Sequence, residues 1–140
     1  MPSYLLDTNV IGELVRAVPD GRVIRWVARR MPLDLHLSAV TLGELIRGIS
    51  RLPGGKRRRT LLRWVNDDVR IRFAGRILPF DEEAGVLWGT IMGRCDRRGR
   101  PRAAADAQIA AIALRFGLTL VTRNTDDFRG MPVTVVNPWM

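Results

Sequence analysis

Acidic residues fall at the ends of predicted strands and helices, where a protein built of alternating strands and helices usually binds its ligands. Asp7 follows a short apolar run, and Asp126 and Asp127 lie in the segment after a second such run. Asp106 lies in the first turn of an alanine-rich predicted helix. Because the carboxyl ends of strands in an open α/β sheet form its ligand-binding edge, we expect these carboxylates to lie near one another.

Each of these acids also has a purely structural interpretation. Asp7 can cap the helix that we predict to begin near Val10. Asp106 complements the positive end of a helix macrodipole, and Asp126 and Asp127 are typical of a turn. Small side chains surround Asp106, and a cavity beside this carboxylate is one explanation for them.

Glu44 is a weaker candidate on helical periodicity alone. The predicted inward stripe of its helix is Leu42, Leu45, Ile46 and Ile49. This stripe puts Glu44 on the other side with Val40 and Gly48, where a solvated glutamate is expected.

Metal and acid-base chemistry are limited by the residue counts. Cys95 is the only cysteine and His36 the only histidine, so a zinc site and a two-histidine mechanism are disfavoured. Converging carboxylates with little countercharge repel one another, and a hard divalent cation such as Mg²⁺ or Mn²⁺ relieves this repulsion. Such a site can activate water and stabilise the leaving oxygen of a phosphodiester.

Alternating strands and helices must position these acids. Apolar runs predict strands at Tyr4 to Leu6, Leu35 to Ser38, Arg76 to Pro79, Leu118 to Thr122 and Val133 to Val136. Apolar residues at helical spacing fill the gaps, and the last predicted helix covers Ala103 to Phe116. The alternation predicts an α/β fold with a mainly parallel sheet covered on both faces.

Length and charge complete the sequence-based picture. The chain has 140 residues, which predicts one domain over residues 1–140, and its net charge is +9. Lys56 is the only lysine, so 22 of the 23 cations are arginine, a residue suited to phosphate binding. No apolar stretch is long enough to cross a bilayer and no signal peptide is present, so we expect a cytoplasmic protein that does not enter the membrane.

In this order and spacing, six motifs resemble those of the PIN-domain ribonucleases, specifically the VapC-type toxins of type II toxin–antitoxin pairs. The resemblance covers nearly the whole chain. The motifs are LLDTNVI at 5–11, SAVTLGELIRGI at 38–49, GRILPFD at 75–81, AAADAQIAAIA at 103–113, TLVTRNTDDF at 119–128 and NPW at 137–139. The resemblance implies a PIN-like three-layer α/β/α sandwich around a four- to five-stranded sheet.

The resemblance also implies a Mg²⁺-dependent endoribonuclease, with Mn²⁺ as a possible substitute. Asp7, Glu44 and Asp106 would bind the metal, which disagrees with the helical periodicity around Glu44. Some family members have an acid where this chain has Asn124, so Asp127 is the expected fourth catalytic residue, with Asp126 a less typical alternative. Thr8, Asn9, Thr122 and Asn124 would orient the carboxylates.

Partners follow from the same resemblance. It implies an RNA substrate, a homodimer and a small cognate antitoxin that assembles with the toxin into a larger complex. Arg98, Arg100 and Arg102 precede Asp106 and are candidates for RNA phosphate binding. Two other functions stay open: a DNA nuclease of the flap type, and a degenerate PIN-like module that binds nucleic acid or a regulator without cutting it.

Overall fold

A computed structural model describes residues 2–140 and contains a five-stranded parallel sheet. The strands are β1 (Tyr4–Leu6), β2 (Leu35–Ser38), β3 (Ile77–Leu78), β4 (Thr119–Val121) and β5 (Val135–Val136). Their order in the sheet is β3-β2-β1-β4-β5, and every neighbouring pair is parallel. The predicted mainly parallel sheet is confirmed, and all five strands lie within the apolar runs that predicted them.

The helices alternate with these strands. They are α1 (Thr8–Leu14), α2 (Gly21–Ala28), α3 (Ala39–Ser50), α4 (Lys56–Arg63), α5 (Arg70–Arg72), α6 (Glu82–Arg97) and α7 (Ala104–Arg115). A π-helical segment, Trp64–Val69, joins α4 to α5, and 3₁₀ turns cover Pro32–Asp34 and Thr125–Phe128. None of these helices is both long enough and apolar enough to span a membrane.

Helix packing on both faces gives three layers. Leu5 and Leu120 pack with α6 and α7 on one face of the sheet. Leu6, Leu37 and Val121 pack with α1, α2 and α3 on the other face. Successive side chains of β1 therefore enter different cores, as strand pleating requires. The predicted α/β/α sandwich is confirmed.

Four of the six alanines of α7 belong to the core. Ala107, Ala110, Ala111 and Ala113 are fully buried. Their small side chains allow α6 and the sheet to approach α7 closely. Core packing therefore accounts for these four alanines, and the cavity beside Asp106 stays a prediction.

The parallel pairing of β1 with β4 brings two segments that are distant in sequence to one edge of the sheet. Leu6 on β1 pairs with Val121 on β4, so both strands end at the same level. Asp7 and Thr122 follow these two strands directly. The carboxyl edge of the central strands is where the functional residues gather.

Candidate active site

Asp7 is held at the end of β1 by hydrogen bonds to both of its carboxylate oxygens. Only 6% of this residue is exposed. Its Oδ1 accepts the backbone N–H of Thr8 at 2.8 Å, and its Oδ2 accepts the Thr122 hydroxyl at 2.8 Å and the Asn9 amide at 3.3 Å. Asp7 is thus the N-cap of α1, as its structural interpretation predicts, and also part of a polar network.

Thr122 joins the ends of β1 and β4. Its Oγ1 donates to Asp7 and accepts from Asn9 Nδ2 at 3.0 Å and from the Asn124 N–H at 3.1 Å. One donated and two accepted hydrogen bonds use the full hydrogen-bonding capacity of the Thr122 hydroxyl group. Asn9 Oδ1 in turn accepts the Arg123 N–H at 3.2 Å. The residues predicted to orient the carboxylates therefore make a closed network around Asp7.

Glu44 enters the same site from α3. The Thr8 hydroxyl donates to Glu44 Oε1 at 2.7 Å. The side of α3 opposite its apolar stripe is covered by the first turn of α1, so this glutamate is half-buried and not simply solvated. The helical-periodicity expectation for Glu44 is wrong, because it assumed one packed face where α3 has two.

Asp106 lies in the first turn of α7 and is half-buried. Burial, followed by the negative charges of Asp127, Asp7 and Glu44, raises the pKa of its carboxyl to about 6. Burial also raises the pKa of Asp7, although its hydrogen bonds oppose the shift, and Glu44 and Asp127 add to it. The charges of Glu44 and Asp127 therefore act on the carboxyls of both Asp7 and Asp106.

The two candidates for the fourth acid differ in their surroundings. Both lie in the exposed 3₁₀ turn after β4. Asp127 acts on the carboxyls of both Asp7 and Asp106. Asp126 instead forms an ion pair with Arg129. The structure thus brings Asp127 toward the site and turns Asp126 to the surface.

Arg102 holds this turn against the start of α7. Its guanidinium donates to the backbone carbonyls of Asp126 and Arg129, both at 2.8 Å. Its positive charge also lowers the pKa of Asp106, opposing the larger upward effects. Arg98 and Arg100 are exposed between α6 and α7. Arg102 is thus a structural anchor, and the two other arginines are free to reach a ligand.

A ready-made metal cage is absent from the described part of the chain. Within residues 2–140, no group of three or more His, Cys, Asp or Glu side chains is placed to hold a metal ion. Mg²⁺ commonly binds through one or two carboxylates, keeps several water ligands and takes others from substrate phosphates. Asp7 and Asp106 supply oxygen ligands and mutual repulsion that a cation would relieve, so the donor set fits Mg²⁺.

Arg123 was not among the functional residues identified from the sequence. It follows Thr122 directly, and its backbone completes the network through Asn9. Its exposed guanidinium lies over the ring of Trp139, 5.5 Å from the ring centroid. Its position one residue after a strand-end threonine was the available signal, but nothing local distinguishes it from other surface arginines.

Comparison with known proteins agrees with this architecture. The PIN domain family matches residues 4–133. Toxin FitB of Neisseria gonorrhoeae is 42% identical over 135 residues, covering 96% of this chain and 97% of that protein. VapC ribonuclease Y4jK of Sinorhizobium fredii is 38% identical, covering 96% of both.

A solved structure gives the same result in three dimensions. FitAcB from Neisseria gonorrhoeae superposes with a TM-score of 0.91 at 41% identity, covering 97% of this chain and 98% of that chain. The likeness therefore extends over the sheet, both helical layers and the site edge.

Proposed function

Because this chain belongs to the PIN-domain family, among the VapC-type toxins, we propose that it is a Mg²⁺-dependent endoribonuclease that acts in the cytoplasm as the toxin of a type II toxin–antitoxin pair. Its relatives include proteins named as toxins and as ribonucleases.

The observation that carries the proposal is the electrostatic coupling of four carboxylates at one sheet edge. Burial raises the pKa of Asp106 most, and the negative charges of Asp127, Asp7 and Glu44 raise it further. A folded protein seldom gathers negative charge in this way unless a cation or a reaction uses it. A cation held by these carboxylates would stabilise the negative charge that develops on the oxygen atoms in the transition state of phosphodiester hydrolysis.

Asp7 and Asp106 would hold the metal ion, with Glu44 and Asp127 completing the negative pocket. Mg²⁺ bound there would lower the pKa of water and stabilise the leaving oxygen, and Mn²⁺ could replace it. Thr122 and Asn9 keep Asp7 in one orientation, so this carboxylate needs little rearrangement to act. Thr8 does the same for Glu44 through its hydroxyl group.

The Thr125–Phe128 turn positions Asp127 for this role. Arg102 fastens the turn to the start of α7 through two carbonyl groups. Arg102 therefore acts through Asp127 and through its charge near Asp106, while Arg98 and Arg100 lie free to contact RNA phosphates.

We also propose a homodimer and a small antitoxin as partners, with the two proteins forming a larger complex. An apolar groove of about 330 Å³ begins at Thr8 and Glu44 and continues past Leu45, Ile49 and Trp64. An amphipathic helix of an antitoxin would fit such a groove and end at the acidic site. Light scattering of the co-expressed pair would test whether the chain is a homodimer and whether it forms a larger complex with the antitoxin.

Cleavage of total RNA by the purified protein tests the proposed reaction. We expect discrete products with Mg²⁺ or Mn²⁺ and none with EDTA or with Asp106→Asn prepared identically. Cleavage that persists in EDTA, or in the Asp106→Asn variant, would contradict the proposed site. RNA binding and metal binding without any cleavage would favour a degenerate binding module.

A further inference from the structure

The outward face of α2 carries a row of arginines that the acidic site does not use. Arg22, Arg25 and Arg29, the last of which caps the carboxyl end of α2, recur at helical spacing and are exposed, while Val23 and Val27 face the core. Residues three and four apart lie on one side of a helix, so the three guanidinium groups share one surface.

Most of this positive charge is not neutralised within the described chain. Arg22 pairs with Asp20, with 2.8 Å between Nη2 and Oδ2. Arg25 and Arg29 form no ion pair with any carboxylate of residues 2–140. The row therefore presents a net positive charge to solvent.

A pocket lies between this row and the last residues of the chain. It has a volume of about 210 Å³ and is bordered by the α2 arginines, Arg30, Trp26, Pro138 and Met140. The Arg30 guanidinium stacks over Trp26, 4.2 Å from the ring centroid. Trp26 also packs edge-on against Tyr4, and the Arg30 guanidinium lies over the Tyr4 ring as well, 5.4 Å from its centroid.

Arg123 connects this basic pocket with the acidic site. Its backbone donates to Asn9, which also contacts Asp7. Its side chain faces Trp139, the residue between the two pocket residues Pro138 and Met140. Arg123 also helps to lower the pKa of Asp20 at the start of α2, after the larger effect of Arg22.

The acidic site creates an electrostatic requirement for such a surface. Four carboxylates repel the phosphates of any nucleic acid that approaches them, so binding energy must come from cations nearby. Phosphate contacts by arginine supply affinity without regard to base sequence. Arg123 is the cation next to the Asp7 side of the site, and the last residues of the chain connect it to the α2 arginines.

We propose that single-stranded RNA bound at the acidic site continues over Arg123 onto the α2 row, where Arg25 and Arg29 bind its phosphates. This inference rests on the proposed ribonuclease function. Arg123 and the last residues of the chain connect the row to the site that would cut RNA, which favours RNA over an acidic segment of a protein partner as its ligand.

RNA binding by matched double variants tests this path. The test variant is Arg25→Gln/Arg29→Gln, and the control is Arg59→Gln/Arg63→Gln on α4, which removes the same charge at the same spacing from exposed positions. Fluorescence anisotropy would follow a short labelled oligouridylate in EDTA at several salt concentrations. Loss of two phosphate contacts should weaken binding about 25-fold at 0.1 M salt and reduce the slope of log K against log salt by about 1.4.

The controls separate this inference from the proposed function. The α4 control should bind almost as tightly as the unaltered protein. Asp106→Asn should bind RNA at least as tightly, because one repelling carboxylate is gone, while it loses cleavage. Equal weakening in both double variants, or no weakening in either, would overturn the path. Normal RNA binding by the α2 variant together with loss of antitoxin binding would also overturn the path, because the row would then bind the protein partner. Weakening confined to the α2 variant would support the path even if the unaltered protein cut no RNA.

Discussion

Asp7 and Asp106, the two acids proposed to hold the metal ion, have different surroundings. Asp7 is buried, and donors from α1 and from the end of β4 bond both of its oxygens. Asp106 is only half-buried, and within the described residues no hydrogen bond to its side chain is found. Its pKa is raised to about 6 by burial and by the other acids.

Asp7 is therefore a carboxylate of fixed orientation, whereas the carboxylate of Asp106 is adjustable. Hydrogen bonds fix the orientation of Asp7 in the absence of any ligand. Asp106 is free to turn toward whatever charge enters the site, and it carries more of the repulsion when nothing does. A site with one fixed and one movable carboxylate can bind a cation without a preformed cage.

Loss of either carboxylate should have the largest effect. Asp7→Asn and Asp106→Asn each remove a carboxylate that would hold the metal ion, and the metal would stabilise the transition state, so each should reduce RNA cleavage by about 10²–10³-fold or more. Single-turnover rates with saturating Mg²⁺ would measure this. A variant that retains most of its activity would show that its half of the site is dispensable. Circular dichroism checks that both variants are folded.

Thr122→Val should have the next largest effect, because it frees Asp7 without removing its charge. The substitution deletes the hydroxyl that donates to Asp7 and accepts from Asn9. We expect cleavage to fall about 10–100-fold and the free energy of unfolding to fall by about 1–3 kcal/mol. Thr122→Ser keeps the hydroxyl and should restore most of the activity. Equal rates in the two variants would show that Asp7 does not depend on this bond.

Asp127→Asn and Asp126→Asn compare two neighbours in one turn. Only Asp127 acts on Asp7 and Asp106, while Asp126 pairs with Arg129. We expect Asp127→Asn to reduce cleavage about fivefold, the effect of roughly 1 kcal/mol in transition-state stabilisation, and Asp126→Asn to leave it nearly unchanged. A larger loss in Asp126→Asn would reverse this assignment.

The smallest expected effect is on stability. The raised pKa of Asp106 means that the folded state binds this proton more tightly than the unfolded state, whose value is near 3.8. Its stabilising contribution is full below that value and is lost as pH rises through about 6. In EDTA at neutral pH, Asp106→Asn should therefore be more stable than the unaltered protein by about 1 kcal/mol, allowing for solvent screening.

Thermal unfolding in EDTA across this pH range measures that difference. The stabilisation should shrink as pH falls from neutral toward 4, where the carboxyl of Asp106 is already neutral. A stabilisation that is independent of pH would mean that relief of repulsion is not its cause.

Much of this site could be predicted from residue types. Asp7 ends a strand of apolar residues and Asp106 opens a helix, and both positions follow from local patterns that tertiary packing did not alter. The strands were predictable for the same reason, since buried parallel strands are short apolar runs. The PIN family resemblance added Glu44, against its own helical periodicity.

Contacts between distant segments were not predictable. Glu44 faces the site because α1 covers a second side of α3, and Arg102 binds carbonyl groups more than twenty residues away. The last residues of the chain lie beside the basic row on α2 and place Trp139 against Arg123, a contact that no local pattern announces. A local pattern shows how a side chain is oriented on its own helix or strand, but not which other element packs there.

The residue pattern therefore determined that this chain forms a parallel α/β sheet with acids at the ends of its elements. Packing decided which of those acids meet, because the Thr122 and Asp7 side chains are 115 positions apart and touch only when β1 and β4 pair in register. Packing also decided which arginines are free, since hydrogen bonds to loop carbonyls occupy Arg102 while Arg25 and Arg29 face solvent.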